Sequence, residues 1–240
     1  AISACEKGTR WEKACQLFDE VDRHQLQSNT ITYTAVVSAC HKGSHWRGAL
    51  ALVEEMERRG LAMNDWAYNA AMSACGAGRR WAQVLGLFHN MSEATVPPTR
   101  VSYNAVLDAA WGSREGHLLF AQALHNEVYP TLQPESAGLR SKLDLHGMST
   151  GSVRFAVSWF LSELMAGARK GKAVPQYIEL VTGWGKSRRV YDVADIRADV
   201  AQHLEELGLP YDFLKNQGRI GVDVRQLLPR RGREAGLQQP

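Results

Sequence analysis

The sequence predicts an α-solenoid of helical hairpin repeats followed by a small α/β domain, and three observations carry that prediction. A 35-residue self-similarity runs through the first half: Trp11, Trp46 and Trp81 fall in step, as do Cys5, Cys40 and Cys75, and Tyr33, Tyr68 and Tyr103. The phase stops after Pro134. Beyond it, short apolar alternations exchange with helical apolar spacing, the pattern of strands packed with helices. A fixed period of this length marks stacked supersecondary units rather than a single globular core.

On this period the chain divides into full units at residues 30–64, 65–99 and 100–134, after a partial unit at 1–29 that lacks its first six residues. The chain opens inside a repeat, without an initiator Met, a capping repeat or a charged-then-apolar leader. The expectation is therefore a piece of a longer protein whose targeting segment is missing. Within the unit at 30–64, Tyr33, Val36, Val37 and Cys40 recur at three- and four-residue steps. After Lys42-Gly43-Ser44, the residues Trp46, Ala49, Leu50, Val53 and Met56 do so again. These are two amphipathic helices joined at a glycine turn, with Gly8, Gly43 and Gly78 equivalent and Ser113 in that slot of the last unit. Neither helix buries its apolar stripe alone, so neighbouring units must stack. Trp11, Trp46 and Trp81, at the start of each second helix, are expected in the core.

Composition narrows the function. The 240 residues are 45% hydrophobic and 22% charged, ordinary for a globular chain, and no apolar run is long enough to cross a bilayer. The net charge of +3 is unevenly spread: residues 1–134 hold 12 Lys/Arg against 13 Asp/Glu, residues 135–240 hold 16 against 12. The second half is therefore the better partner for a polyanion. Three of the four cysteines occupy one repeat position, where the last unit has Ala110. A slot that accepts Cys or Ala is a small packing position, and Cys15 aligns with Leu50, so neither zinc nor a disulfide is expected, and reduced thiols fit a compartment that is not oxidising.

The wording Ile-Thr-Tyr-Thr-Ala-Val-Val-Ser-Ala-Cys-His-Lys-Gly at 31–43, and Ala-Tyr-Asn-Ala-Ala-Met-Ser-Ala-Cys-Gly-Ala-Gly at 67–78, resembles the pentatricopeptide repeat (PPR) family over residues 1–134. The tetratricopeptide repeat also pairs helices, but its period is about 34. The PPR resemblance implies single-stranded RNA as partner, with one base per repeat read by the fifth and last residues of a unit. The pairs are Thr34 with Asn64, Asn69 with Thr99, and Asn104 with Pro134. In the family the first resembles an adenine reader, and Asn in the first slot leans toward pyrimidine. Pro134 offers no side-chain hydrogen bond, so the last unit is degenerate or a cap. The second residue of each unit sandwiches the base in this family; here it is Ile31, Trp66 and Val101, and Trp66 reads equally as a stacking platform or a partly exposed interface residue.

Residues 135–141 read as a linker, and from Lys142 the pattern changes. Leu143 and Leu145 share one face of a short strand while Asp144 and His146 share the other. After Gly147, Ser149 or Thr150 caps a helix carrying Val153, Ala156, Val157, Phe160, Leu161 and Leu164. A strand comes next at 177–181, then the turn Thr182-Gly183-Trp184-Gly185-Lys186-Ser187-Arg188-Arg189, a helix at about 193–207, and one or two strands within 210–224. Leu-Asp-Leu-His-Gly at 143–147 together with Thr-Gly-Trp-Gly at 182–185 resembles the small MutS-related (SMR) domain, over residues 142–229. That resemblance implies nucleic-acid nicking or RNA cleavage, and the combination with the repeats implies an organellar factor of plastid or mitochondrion.

The chemistry can be read without the family. Asp144 and His146 project from one strand in the same direction, so the carboxylate can hold Mg²⁺ or orient a partner while the imidazole moves a proton. Gly183 and Gly185 let the chain approach a sugar-phosphate backbone, Lys186, Arg188 and Arg189 add cationic donors, and Trp184 offers a ring face. A P-loop is excluded because Leu180 stands where its first glycine is required. Arg230, Arg231 and Arg233 belong to a basic tail at 230–240 that would add non-specific RNA affinity. The expected function is RNA binding by the repeats coupled to cleavage by the second domain, with Mg²⁺ as cofactor, no small-molecule cofactor, and DNA the lesser partner. A non-catalytic RNA clamp and a protein-interaction scaffold remain as the alternatives.

Overall fold

The computed structural model describes residues 1–24, 26–132, 135–137, 140–183, 196–215 and 218–225. The chain forms two compact units, Ala1–Val128 and Tyr129–Pro240. The first is a ladder of helix pairs: α1 (Ile2–Lys7) with α2 (Trp11–Arg23), α3 (Thr30–Lys42) with α4 (Trp46–Arg58), α5 (Asp65–Ala77) with α6 (Trp81–Glu93), and α7 (Arg100–Ala109) with α8 (Arg114–His125). Each pair is one period of the sequence. The first helices start on side-chain caps where the sequence supplies them: Asn29 Oδ1 accepts from the Thr32 amide at 3.0 Å, and Asn64 Oδ1 from the Ala67 amide at 2.9 Å.

Stacking follows from the repeated aromatics. Tyr33, Tyr68 and Tyr103 are all buried, and Phe18 and Phe88 of the preceding second helices meet Tyr33 and Tyr103 edge to face, with ring centroids 4.8 and 5.2 Å apart. Such a pair contributes about 0.5–1.5 kcal/mol beyond its area. Cys40, Cys75 and Ala110 are buried in equivalent positions, and all four cysteines are thiols.

The three phase tryptophans depart from the expected core placement. Trp11 and Trp46 are half-buried and Trp81 is exposed. The reason is visible at the turn glycines: a Cβ on Gly43 would fall inside the Trp11 ring, and one on Gly78 inside the Trp46 ring. Each indole packs on the turn of the next repeat rather than under it, where Trp11 also stacks on His45 and Trp46 lies beneath the Arg80 guanidinium. Trp81 would meet the slot held by Ser113, and it is the most exposed of the three. The glycines serve close approach rather than unusual backbone, since Gly43 has φ −87° and Gly78 φ −82°. The left-handed residues are the next ones, Ser44 and Arg79, both at φ 54°.

The second unit is built on a five-stranded sheet in the order β1-β2-β3-β5-β4. Its strands are β1 (Glu135–Ala137), β2 (Arg140–Asp144), β3 (Tyr177–Val181), β4 (Tyr211–Phe213) and β5 (Arg219–Asp223), with helices α9 (Thr150–Arg169) after β2 and α10 (Ile196–Glu206) after β3. Strands β2 and β3 are parallel because a whole helix separates them, and the other pairs are antiparallel. Residues 135–141, read from sequence as a linker, instead carry β1 and the start of β2: Ser136 faces Ser141 across an antiparallel pair. Short polar strands at a sheet edge lack the apolar alternation that would reveal them. Leu143, Ile178, Leu180, Ile220 and Val222 share the buried face and form the core with Val153, Phe155, Val157 and Phe160 of α9 and Val200 and Leu204 of α10.

Candidate nucleic-acid interface

In the array, one residue stands at the second position of α3, α5 and α7: Ile31, Trp66 and Val101 are 74, 59 and 53% exposed. Large apolar side chains left open at the same place in successive helices form a row, not scattered surface. The fifth-position residues lie one helical turn further in. Thr34 is buried and its hydroxyl donates to the Thr30 carbonyl at 2.6 Å, while Asn69 is half-buried and Asn104 likewise. The last residues of the units, Asn64 and Thr99, cap the following helices. Thus the residues read from sequence as base-reading are gathered at the starts of the first helices. Pro134 lies outside the described residues.

In the α/β unit, β2 and β3 run parallel with Asp144 opposite Val181, so the loops after the two strands leave from the same sheet end. The Leu145 amide donates to the Val181 carbonyl at 2.9 Å and extends that pairing by one step. Loops beyond the carboxyl ends of parallel strands are where α/β sheets place ligands. Here they bring together His146, one half of the first motif, and Gly183, the start of the second. Gly183 has φ +85°, and a Cβ on it would stand 2.8 Å from His146 Nε2. A side chain at 183 would therefore both strain the backbone and cover the imidazole.

Asp144 and His146 form a pair. His146 Nδ1 lies 2.6 Å from Asp144 Oδ1, and the His146 amide donates to the same oxygen at 3.0 Å. A carboxylate only accepts, so Nδ1 carries the proton of this contact, and Nε2 is the nitrogen turned toward Gly183. Their side chains are 31 and 55% exposed, a partly open surface group rather than a buried structural pair. Thr182, just before Gly183, is held by its amide and hydroxyl on the Gly218 carbonyl at 2.9 and 3.2 Å. Trp184, Gly185, Lys186, Arg188 and Arg189, and the tail arginines, lie outside the described residues.

The donor set around Asp144 does not by itself fit the expected Mg²⁺. Oδ1 is engaged twice by His146, and among the described residues no group of three His, Cys, Asp or Glu side chains converges. Through Oδ1 the carboxylate holds the His146 ring and amide.

Sequence reading missed two residues. Arg219 shares a row with Asp144 and Val181 across β2, β3 and β5 and ion-pairs with Glu179; only the sheet register reveals that. Ser102, fully buried, bonds to both Asn69 and Thr99. Its signal was present as a hydroxyl three residues after the helix-capping Thr99.

Comparison with known proteins finds repeat matches within the array. The family model described as the PPR repeat family matches residues 29–76, and the PPR repeat model matches residues 66–96. The two matches together span residues 29–96, within the first unit. A pentatricopeptide repeat-containing protein of Arabidopsis thaliana is 30% identical over 106 residues, which is 42% of this chain and 12% of that protein's length. Among solved structures, the pentatricopeptide repeat protein PPR10 from maize is similar at 21% identity and TM-score 0.45, over 67% of this chain and 21% of that one. PPR10 in complex with an 18-nt psaJ RNA element aligns at 14% identity and TM-score 0.48, over 86% of this chain and 28% of that one. The chain thus spans a small part of each.

Proposed function

We propose that the helical array binds single-stranded RNA along the starts of α3, α5 and α7, and that the second unit is an SMR domain that cuts the bound strand nearby. The row Ile31, Trp66 and Val101, one apolar platform per PPR repeat, is the observation that carries the first half. Repeats of this kind read one base each through two or three side chains, and Asn64, Asn69, Thr99 and Asn104 supply hydrogen-bonding groups beside the platforms, with Thr34 behind them. The expected setting is a plastid or a mitochondrion, and RNA is favoured over DNA.

The Asp144–His146–Gly183 arrangement supports the second half. With Nδ1 held protonated by Asp144, His146 Nε2 takes the proton of a ribose 2′-hydroxyl. That oxygen attacks the adjacent phosphorus, and the 5′-oxygen leaves with a proton from solvent. The glycine leaves the space the ribose needs. Lys186, Arg188, Arg189 and Trp184, following Gly183 in sequence, would bind the phosphates and a base, and Gly185 would give a second close approach. This chemistry needs the 2′-hydroxyl, so deoxyribose strands are spared. No step here uses a divalent cation.

Labelled single-stranded RNA incubated with wild type, Trp66→Ala, Asp144→Ala and His146→Ala, with and without EDTA, tests both halves. Trp66→Ala should weaken binding by roughly 5- to 150-fold, the loss of one stacked base. The Asp144 and His146 variants should bind normally and leave the strand uncut. Intact RNA with wild type and normal binding would favour the clamp, and cleavage lost in EDTA would restore the Mg²⁺ role. Absence of RNA binding by wild type would favour the protein scaffold.

A further inference from the structure

The boundary between the units at 65–99 and 100–134 is wired differently from the one before it. Ser102 Oγ accepts from the Thr99 amide at 3.0 Å and gives its single proton to Asn69 Oδ1 at 2.7 Å. The Asn69 amide is thereby oriented with its oxygen inward and Nδ2 on the side of Thr99, 3.4 Å from Thr99 Oγ1. Thr99 Oγ1 also accepts from the Ser102 amide in a capping box, which fills its acceptor sites. Among the described residues, the groups still unspent are the second Nδ2 proton and the Thr99 hydroxyl proton. The latter has only a long 3.3 Å contact to Ser102 Oγ, which a stronger acceptor would displace. At the preceding boundary the equivalent of Ser102 is Ala67, which can make no such tie, and Thr34 turns its proton onto its own helix.

We propose that Ser102 is a positioning residue that presets base choice at this boundary, holding Asn69 and Thr99 so that both face outward as donors and select cytosine. Cytosine presents two neighbouring acceptors, N3 and O2, on its Watson–Crick edge. Uracil places an N3–H between its acceptors, and that donor would meet a donor here. Adenine and guanine each present a donor next to their nearest acceptor. The selectivity therefore originates in a buried serine that never touches the base. This inference rests on the RNA reading proposed above.

The test uses the full chain and short oligoribonucleotides built on a central A-X-U and its reverse U-X-A, with X each of the four bases, so that either strand polarity is covered. Wild type should bind the X = C strand at least about fivefold more tightly than X = U, the lower end for a matched pair of base hydrogen bonds. Ser102→Ala frees the Asn69 amide to turn over, and the C-to-U ratio should fall toward one, with dependence on the neighbouring A unchanged. Ser102→Thr keeps the hydroxyl, as Thr32 does in the equivalent slot, and should keep the ratio. A residue that only stabilises the helix start would weaken all strands equally. Binding by Ser102→Ala with undiminished preference for cytosine overturns the role of Ser102 alone. No binding of any strand by wild type overturns the RNA reading, and this inference with it.

Discussion

His203 is buried between α9 and α10 and contacts Ser158 and Glu206 there. Its Nε2 lies 2.9 Å from Ser158 Oγ and its Nδ1 3.5 Å from Glu206 Oε2, while Arg154 reaches the same carboxylate at 3.1 Å. Burial lowers its pKa from the ordinary 6.5, and Arg154 adds to that, against the pull of Glu206. The folded state therefore holds His203 neutral where the unfolded chain has begun to protonate it. Stability is whole above the ordinary value and falls as pH drops through it toward the lowered folded value. The melting temperature should decline between pH 7 and 5, and His203→Gln should flatten that decline. An equal decline in the variant would move the acid sensitivity elsewhere, with half-buried His41 next in line because burial lowers its pKa too.

At the level of the elements, the turn between the helices of a repeat is where one side chain sets the stacking distance. The indole of one repeat occupies the place of a Cβ in the next, so Gly78→Ala forces Trp46 or the turn to move. Overpacking of this sort costs about 1–3 kcal/mol. Gly76, two residues earlier and inside α5, has nothing within 4 Å of the Cβ position, and alanine there should add about 0.5–1 kcal/mol through helix propensity. Chemical denaturation of the two variants should therefore shift in opposite directions from wild type. Similar shifts for both would mean that the glycine, not the indole contact, controls the turn. The last repeat fits the same logic: with Ser113 in the glycine slot, α7 is shorter than α3 and α5, and the left-handed residue becomes Gly112 at φ +77°.

Across the whole molecule, what the sequence disclosed depended on how local the cause was. The helix pairs and the strand at 177–181 follow from periodicity and chain order. The edge strand β1, the row joining Asp144 to Arg219 and the tie from Ser102 to Asn69 and Thr99 depend on pairing between segments distant in sequence, which no window of residues contains. The partial exposure of the tryptophans was missed because Trp at a helix start looks apolar whichever neighbour it covers. Charge adds one property that belongs to no single element. With a net charge of only +3 and a near-neutral first half, the RNA binding proposed above would come from base platforms more than from attraction at a distance. Each phosphate neutralised on a single strand contributes about −0.7 to the slope of log affinity against log salt. Full repeats facing one nucleotide each make about −2 the expected slope for the wild-type chain. A much steeper slope would assign most of the binding to the cationic second half, and a flat one would remove backbone contact from the mechanism altogether.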